Sequence, residues 1–467
     1  MRLTIRDLEK IPHTRLLNGG RGAGKRFREV STDSRTAGEG DLFVALRGER
    51  FDGHAFVAAA FARGALAAVV DEKFDVSLAE SNALLVVGDT VRALGDLARV
   101  YRDKFRVPVL AVGGSNGKTT TKEMIGQVLA EKYSVLATEG NLNNHVGVPQ
   151  TLFRLTSRHE LAVVEMGTNH PGELAHLCRA VRPTHAILTN IGREHLEFFG
   201  TLEGVAREEG TLFESVREQG GGTAIVNADD PLVARAARGM KRVVTFGFAA
   251  RNAMVRGRRI RLDALGTPQL EFRTPRMREW LGVQLRVPGA HIAANALAAV
   301  AAGVAFGVPA MSIRRALESF RAPTKRMEVL SVAGVTVLND AYNANPDSTT
   351  AALRTLAAMK TTGKRIAVLG DMKELGDASA EAHTAVGREA ATLKIDYVLT
   401  FGPMAKQIRD AAAMPGAIHY EQKNMLAEYL AELVTPGDVV LVKGSRSMRM
   451  EDIVTFLQER LHGSPPT

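Results

Sequence analysis

The most constraining feature of the sequence is a short apolar run that leads directly into a glycine-rich turn. Residues 107–112 read VPVLAV, and residues 113–120 read GGSNGKTT. After the turn, Ile125, Val128 and Leu129 recur at the spacing of one helix face. A strand, a glycine-rich turn and a helix in this order predict a phosphate-binding P-loop, because the turn and the helix N-terminus present N–H groups to an anion.

The residue types in the turn fit the binding of a triphosphate. Lys118 is expected to reach the β- and γ-phosphates, and the hydroxyl of Thr119 to bind Mg²⁺. The general pattern has a glycine five residues before Gly117, where this chain has Val112, so we interpret the loop as a shortened form. The predicted phosphate-binding residues are Gly114, Ser115, Asn116, Gly117, Lys118, Thr119 and Thr120.

Apolar runs of strand length alternate with helical segments along most of the chain. They lie at residues 161–164, 186–189, 224–226, 365–369, 397–400 and 439–442. Uninterrupted apolar runs are typical of parallel strands buried on both faces, so we predict an α/β fold. A length of 467 residues suggests about three domains. We predict a small N-terminal α/β domain (1–102), a central P-loop domain with a parallel sheet (103–323) and a C-terminal Rossmann-like α/β domain (324–467).

Composition excludes several classes of protein. The net charge is +9, but the basic residues are scattered, and their densest cluster (residues 256–261) alternates largely as a strand would. With only 5% aromatic residues, a nucleic-acid surface has little support. Cys178 is the only cysteine, so it can form no internal disulfide, and we interpret it as a core residue. The N-terminus is charged and lacks an apolar core, and no apolar run of about 18 residues occurs, so we expect a cytoplasmic protein with neither a signal peptide nor a membrane span.

Two further side chains follow predicted strands. Glu165 comes directly after the run at 161–164, where a carboxylate beside a P-loop is well placed for Mg²⁺. Taken alone, Glu165 is as compatible with a helix cap or a surface charge. His195 follows the next run, and by itself it is more typical of an ordinary loop residue than of a metal ligand.

A collinear set of motifs resembles the Mur ligases. The central and C-terminal motifs are GGSNGKTTTKEM (113–124), GNLNNHVGVPQTL (140–152), VVEMGTNHPGEL (163–174), TNIGREHLE (189–197), VPGAHIAANALAA (287–299), RMEV (326–329), NDAYNANPDS (339–348) and LGDMKELG (369–376). STDSR (31–35) and FDGHAF (51–56) extend the resemblance to the N-terminal domain.

The resemblance implies an ATP-dependent ligase that converts a substrate carboxylate into an acyl phosphate, which an amine then attacks. It implies two Mg²⁺ ions, one at Thr119 and Glu165 and the other at Glu165 and His195. The implied catalytic residues are Lys118, Glu165, His195 and Arg326. The implied further ATP contacts are His291, Asn295, Arg326 and Asp340.

The same resemblance implies the substrates. The YNANP and LGDMKELG segments are most similar to family members that join D-Ala-D-Ala to UDP-N-acetylmuramoyl-tripeptide, and we expect a monomer acting on these small molecules and not on nucleic acid. The implied UDP-sugar-binding residues are Ser31, Asp33, Ser34, Arg35, Asn143, Asn144 and His145. The candidates for the dipeptide site are Tyr342, Asn343, Asn345, Lys443, Ser445 and Arg446.

Other functions remain open at this point. The related ligase that adds the third, diamino acid residue carries a DNPR segment, and this sequence has none. Folylpolyglutamate synthase shares the core but does not need the N-terminal uridine-type segment. A P-loop ATPase switch that ligates nothing is the alternative from a different class.

One position departs from the family pattern. Where the family has a carbamylated lysine, in a segment resembling AKGEIF, this chain has Glu209. Its carboxyl carbon is three bonds from Cα, against six for the carbamate, so it reaches roughly 3–4 Å less far. One water would close that gap, and we predict that Glu209 supports the second Mg²⁺ through water. The alternative is a solvated glutamate paired with Arg193 or Arg207.

Overall fold

Three sheets follow one another along the chain, in the order of the three predicted domains. The fold is given by a computed structural model that describes residues 1–20, 22–48 and 51–462, except for the side chain of residue 462. Helices cover the sheets, and most neighbouring strands are parallel. The predicted α/β class is therefore confirmed.

The first sheet is small. Its strands are β1 (Thr14–Leu17), β2 (Val30–Ser31), β3 (Leu42–Val44), β4 (Ala67–Asp71) and β5 (Ala83–Val87). Its helices are α1 (Val57–Ala62) and α2 (Thr90–Arg102), with 3-10 turns at Ile5–Lys10, Gly53–Phe56 and Val76–Ala79. The strand order is β1-β5-β4-β3-β2, and β1 runs antiparallel to β5 while the other pairs are parallel. Asp89 caps α2 by accepting from the N–H groups of Val91 and Arg92.

The second sheet is the largest. Its strands are β6 (Val109–Gly113), β7 (Val135–Ala137), β8 (Leu161–Glu165), β9 (His185–Leu188), β10 (Thr223–Asn227), β11 (Arg242–Gly247), β12 (Val255–Leu262), β13 (Pro268–Arg273) and β14 (Leu281–Gln284). Its helices are α3 (Lys118–Ala130), α4 (Gly147–Phe153), α5 (Glu173–Val181), α6 (Leu196–Phe199), α7 (Leu202–Glu218), α8 (Pro231–Ala236), α9 (Ala290–Ala305) and α10 (Ala310–Ser319). The strand order is β14-β13-β12-β11-β10-β9-β6-β8-β7.

One edge of this sheet differs from the predicted parallel arrangement. Strands β12, β13 and β14 pair antiparallel, because short loops join them where a parallel pair would need a crossover. The basic cluster lies here, and Arg256 and Arg258 alternate with buried Val255, as a half-exposed strand requires. The Arg258 guanidinium lies 4.1 Å from the ring centre of Trp280, and its Nε donates to Glu271 over 2.6 Å.

The third sheet combines one hairpin with four further parallel strands. Its strands are β15 (Glu328–Val332), β16 (Val335–Asp340), β17 (Arg365–Gly370), β18 (Tyr397–Phe401), β19 (Ala417–Tyr420) and β20 (Val439–Lys443). Its helices are α11 (Pro346–Ala358), α12 (Ser379–Thr392), α13 (Lys406–Ala412), α14 (Lys423–Leu433) and α15 (Glu451–His462), with 3-10 turns at Gly376–Ala378 and Arg446–Met448. The strand order is β15-β16-β20-β17-β18-β19, and β15 and β16 form the antiparallel hairpin.

Packing joins the first two sheets closely. Helix α2 packs against α4 and α5, and one apolar cluster runs from the first sheet into the second. The predicted boundaries near residues 102 and 323 stay predictions. Cys178 lies in this shared cluster, and burial raises the pKa of its thiol to about 12, as a core residue requires. Among the described residues, no helix is long and apolar enough to cross a bilayer.

Candidate active site

The carboxyl ends of three neighbouring strands meet at one edge of the central sheet. Strands β8, β6 and β9 are adjacent; Glu165 is the last residue of β8, and the P-loop and His195 follow β6 and β9. In open α/β sheets, ligands bind outside such strand ends. A cavity of about 1050 Å³ lies at this edge, and residues from all three predicted domains line it.

Two glycines are required by the shape of the P-loop. Gly114 has φ +109° and Gly117 has φ +77°, both in the left-handed region that favours glycine. A Cβ at Gly114 would collide with Thr189, and one at Gly117 would lie 2.7 Å from Asn295 Oδ1. Gly117 is the residue before α3, so the turn places the helix N-terminus at the cavity.

Part of the loop backbone is engaged by the protein itself. The N–H of Gly114 donates to Glu209 Oε2 over 2.7 Å, and that of Ser115 donates to the Asn190 carbonyl over 2.8 Å. The N–H of Asn116 donates to Asn190 Oδ1 over 3.0 Å. The N–H groups of Lys118, Thr119 and Thr120 open α3 and have no acceptor one turn earlier in the helix, so they are available to an anion, whereas the N–H of Thr121 already donates to the Gly117 carbonyl.

The side chains of Thr119 and Glu165, which are predicted to share one Mg²⁺ ion, lie in contact, and their role toward the ion stays a prediction. The Thr119 hydroxyl donates to Glu165 Oε1 over 2.9 Å, and Asn143 Nδ2 donates to the same oxygen over 2.8 Å. Glu165 is 1% exposed, and its Oε2 is buried without a hydrogen-bond partner among the described residues. A buried carboxylate oxygen without a partner, beside a hydroxyl, fits a hard divalent cation.

The described part of the chain contains no group of three or more His, Cys, Asp or Glu side chains arranged to hold a metal ion alone. This agrees with the usual coordination of Mg²⁺, which is commonly held by one or two carboxylates together with phosphate oxygens and waters. The donor set of Thr119 and Glu165 therefore fits Mg²⁺ that arrives with a nucleotide.

Lys118 points into a set of carboxylates. Its Nζ lies 3.1 Å from Glu194 Oε2, and both side chains are largely buried. Burial alone would lower the pKa of Lys118, but Glu194 and Glu209 together raise it above its ordinary value, so the lysine stays charged. In this structure the Glu194 carboxylate is the anionic partner of the P-loop lysine.

His195 contacts the C-terminal domain. Its Nδ1 lies 2.5 Å from Glu374 Oε2, and its Nε2 lies 4.0 Å from Glu194 Oε2. The close approach of His195 is the main reason why the pKa of Glu374 is lowered, although His195 Nδ1 has no hydrogen-bond partner among the described residues. His195 is thus held between carboxylates of two domains, at the cavity wall.

Glu209 is fully buried, and the alternative of a solvated glutamate paired with Arg193 or Arg207 is wrong. Its Oε2 accepts from Gly114, while its Oε1 is buried without a partner among the described residues. Burial raises the pKa of Glu209 to about 8, Lys118 opposes that shift, and Glu194 adds to it. The water-mediated role toward Mg²⁺ stays a prediction.

The predicted nucleotide contacts of the C-terminal side face the same cavity. The Arg326 guanidinium stacks 3.8 Å from the ring centre of Tyr342. Asp340 accepts from Lys443 Nζ over 2.6 Å and from the N–H of Met327 over 3.1 Å. His291 and Asn295 of α9 also line the cavity, and burial lowers the pKa of His291.

The remaining predicted residues divide into two groups. The cavity wall includes Asn143, Asn144, His145, Tyr342, Asn343, Asn345 and Lys443. Ser445 and Arg446 are not among the described residues that line the cavity. Ser445 Oγ accepts instead from the N–H of Lys373, and Arg446 pairs with Glu451 over 2.5 Å.

The N-terminal candidates also lie away from this cavity. Ser31 Oγ donates to the Asp33 carbonyl over 3.0 Å, and Asp33 pairs with Arg35 over 2.7 Å. The segment is tied to the central domain through Gln150, which donates to Thr32 Oγ1 over 3.1 Å. Ser34 offers its carbonyl to Arg63. Their role in binding UDP stays a prediction.

The structure adds residues that the sequence reasoning did not assign. Glu194 lies in the TNIGREHLE segment, where its place directly before His195 is a sequence signal, whereas Glu374 lies in the LGDMKELG segment and only the fold brings it to His195. Arg193 forms a two-pronged pair with Asp347 over 2.6 and 3.1 Å, and this contact docks the C-terminal domain on the central one. No sequence spacing could have shown that pair.

Comparisons with known proteins agree with the geometry. The family model described as "Mur ligase family, catalytic domain" matches residues 26–111, "Mur ligase middle domain" matches 112–303, and "Mur ligase, glutamate ligase domain" matches 325–446. An Escherichia coli (strain K12) protein named UDP-N-acetylmuramoyl-tripeptide–D-alanyl-D-alanine ligase is 40% identical over 452 residues, which cover 96% of this chain and 97% of that protein. The chain belongs to the Mur ligase family.

Other relatives of this Mur ligase carry the same name. A Bacillus subtilis (strain 168) protein so named is 36% identical, over 92% of this chain and 93% of its own. A crystal structure of MurF from Acinetobacter baumannii is similar with a TM-score of 0.89, at 33% identity over 98% of both chains. A Thermotoga maritima MurF ligase in complex with ADP is similar with a TM-score of 0.83, at 30% identity, covering 94% of this Mur ligase and 98% of that chain.

Proposed function

We propose that this Mur ligase joins D-alanyl-D-alanine to UDP-N-acetylmuramoyl-tripeptide at the expense of ATP, giving the pentapeptide precursor of peptidoglycan. The observation that carries the proposal is the likeness, over nearly the whole chain, to relatives named for this reaction. The cavity at the P-loop supports it, because it is lined from three domains and has room for a nucleotide and a second substrate.

The reaction needs activation because a carboxylate anion does not condense with an amine at neutral pH. The tripeptide carboxylate attacks the γ-phosphorus of ATP, the bond to the β-phosphate oxygen breaks, and an acyl phosphate and ADP form. The dipeptide amine then attacks the acyl carbon, loses a proton, and expels phosphate from the tetrahedral intermediate. Catalysis of this type depends mainly on positioning and on neutralising charge.

The residues at the cavity divide this work. When ATP binds, Lys118 leaves Glu194 and contacts the β- and γ-phosphates. Arg326 supplies a second positive charge from the C-terminal domain. Asn295 and His291 are placed for the adenine, and Asp340 for the ribose. Thr119 and Glu165 would hold Mg²⁺, which neutralises phosphate charge when bound, and His195 is the proposed ligand of a second ion.

The test is a reconstituted ligation. Purified enzyme receives ATP, D-Ala-D-Ala and UDP-N-acetylmuramoyl-tripeptide, in separate lysine and diaminopimelate forms, and both ADP release and product mass are measured. We expect ADP release that requires both substrates, and a product whose mass is their sum less one water. ATP hydrolysis at the same rate with and without D-Ala-D-Ala would refute the proposal in favour of an ATPase switch. In a parallel reaction with UDP-N-acetylmuramoyl-dipeptide and a free diamino acid, ligation would instead identify the related third-residue ligase.

A further inference from the structure

The antiparallel edge formed by β12, β13 and β14 carries a high density of positive charge. Residues 251–286 contain nine arginines, no lysine and three acidic side chains, which gives a net charge of +6 in a chain whose total is +9. These arginines are Arg251, Arg256, Arg258, Arg259, Arg261, Arg273, Arg276, Arg278 and Arg286. Most of the excess positive charge of the molecule therefore lies in this one segment.

Packing buries one face of this edge and leaves the other open. Helix α9 packs against β12 and β13 on the inner face, where Val255, Leu270 and Phe272 are buried. Because side chains alternate between the two faces of a strand, Arg256 and Arg273 point to the outer face, where both are half-exposed. The strand register places these two arginines directly opposite each other.

The ring of Trp280 lies among three arginines of this outer face. Its centre is 4.1 Å from the guanidinium of Arg258, 5.3 Å from that of Arg273 and 5.6 Å from that of Arg256. Cation–π attraction groups the guanidiniums around the ring, but a neutral ring leaves their charges unbalanced.

One carboxylate of this face is already engaged. Glu271 accepts from Arg258 Nε over 2.6 Å and from an Arg259 Nη over 3.2 Å. Among the described residues, ion pairs are absent for Arg251, Arg256, Arg261, Arg273, Arg276 and Arg278. Like charges that face each other across a strand pair are destabilising, so an external anion would stabilise this face.

Exposed apolar side chains accompany the arginines. Met254 directly precedes β12, on the side of Arg256, and is 41% exposed. Ile260, where the pairing of β12 with β13 shifts its register, is 39% exposed. Tryptophan is enriched at the interface between a bilayer and water, and basic residues beside apolar ones bind anionic lipid surfaces.

A nucleic acid is the other extended polyanion that such a face could bind. Proteins that bind single strands offer aromatic ring faces on which bases stack. Trp280 is half-buried with Arg258 beside its ring, and Phe272, the other aromatic residue of the segment, is buried in the core. Lipid headgroups require positive charge but no stacking, so the side chains of this face favour a bilayer.

We propose that the outer face of β12–β14, together with the loop that joins β13 to β14, docks on the surface of an anionic phospholipid bilayer. The arginines contact headgroup phosphates, and Met254 and Trp280 reach the interfacial layer without crossing the membrane. Residues 251–286 are all described, and none of them lines the active-site cavity. Docking is therefore separable from ligation and does not depend on the proposed function.

The test is co-sedimentation of the full-length enzyme with vesicles of phosphatidylcholine alone, or of equal parts phosphatidylglycerol and phosphatidylcholine. The three-arginine variant Arg256→Gln/Arg273→Gln/Arg276→Gln removes charge from the sheet face and its loop. The two-arginine variant Arg276→Gln/Arg278→Gln changes exposed loop positions only, so it tests the face without altering the sheet. Ligation activity and thermal unfolding show whether each variant is folded.

The matched control removes the same amount of charge elsewhere. Arg158→Gln/Arg321→Gln/Arg388→Gln changes three exposed positions outside the segment. Trp280 is the only tryptophan, so its emission and its quenching by acrylamide report contact at this face directly. An oligouridylate, used in place of vesicles, tests for nucleic-acid binding.

We expect the parent and the control to bind only the vesicles that contain phosphatidylglycerol, with Trp280 emission moving to shorter wavelength and its quenching reduced. Each arginine near an anionic bilayer contributes roughly a fivefold factor in affinity, so binding should weaken roughly 100-fold in the three-arginine variant and roughly 25-fold in the two-arginine variant. Higher salt should release the parent, because exposed charges are screened.

Three results would overturn the proposal. The first is a parent enzyme that does not bind the anionic vesicles. The second is binding by the two-arginine variant within twofold of the parent, which would exclude this face. The third is tighter binding of the oligouridylate than of the anionic vesicles, which would assign the face to nucleic acid.

Discussion

Replacing Glu209 with glutamine should make the stability of the central domain less sensitive to pH. The Glu209 side chain has no exposed surface, and burial is the main reason why its pKa rises from an ordinary 4.5 to about 8. Glutamine has the same shape and can still accept from the Gly114 N–H, but it carries no proton to lose.

The sign follows from the proton count of the two states. Between pH 4.5 and 8 the unfolded chain has released the proton that folded Glu209 keeps, so rising pH favours unfolding. One proton changes the free energy of unfolding by about 1.4 kcal/mol per pH unit, or about 4 kcal/mol between pH 4.5 and 7.5. Below pH 4.5 both states are protonated and the two proteins should differ little for this reason.

The assay is urea unfolding at several pH values between 5 and 8, in chelator and without nucleotide. Trp280 is the only tryptophan and lies beside the central sheet, so its fluorescence follows that domain. We expect the stability of Glu209→Gln, relative to the parent, to rise by about 1.4 kcal/mol per pH unit. Glu214→Gln, exposed on the same helix, is the control and should track the parent. Parallel curves for Glu209→Gln and the parent would refute the reasoning.

Three further substitutions have expected outcomes. Lys118→Ala should lower turnover at least 100-fold, by analogy with transition-state donors worth ~3–4 kcal/mol, and turnover within tenfold of the parent would contradict its role. The same change leaves the buried Glu194 without its cation, so thermal unfolding should reveal a destabilised central domain. Glu209→Lys should ligate only when bicarbonate is supplied, and activity without it would exclude a carbamate at this position. Arg35→Ala should weaken UDP-sugar binding 10- to 100-fold in calorimetry and leave ADP binding unchanged, whereas an unaltered UDP-sugar affinity would remove the N-terminal segment from the site.

The local sequence pattern was enough to predict the parallel strands and the P-loop. The runs at 161–164 and 439–442 lie in strands β8 and β20, because a parallel strand buried on both faces has an uninterrupted apolar sequence of that length. Gly117 and Thr119 were also predictable from local sequence. The turn conformation requires Gly117 and the phosphate loop requires the Thr119 hydroxyl, and both requirements come from neighbouring residues in the chain. The antiparallel edge at β12–β14 was not predicted, since alternation identifies a strand but not the direction of its partner.

By itself the sequence determined the α/β class and predicted the phosphate loop and a shared site for Thr119 and Glu165, because each depends on periodicity or on strand ends that a parallel sheet brings together. Only the tertiary structure decided the environment of the charges. Whether Glu209 is solvated or buried, which anion faces Lys118, and which carboxylate holds His195 depend on residues far apart in the chain. Burial and the distance between charges determine these properties, and both arise only when the three domains pack around one cavity.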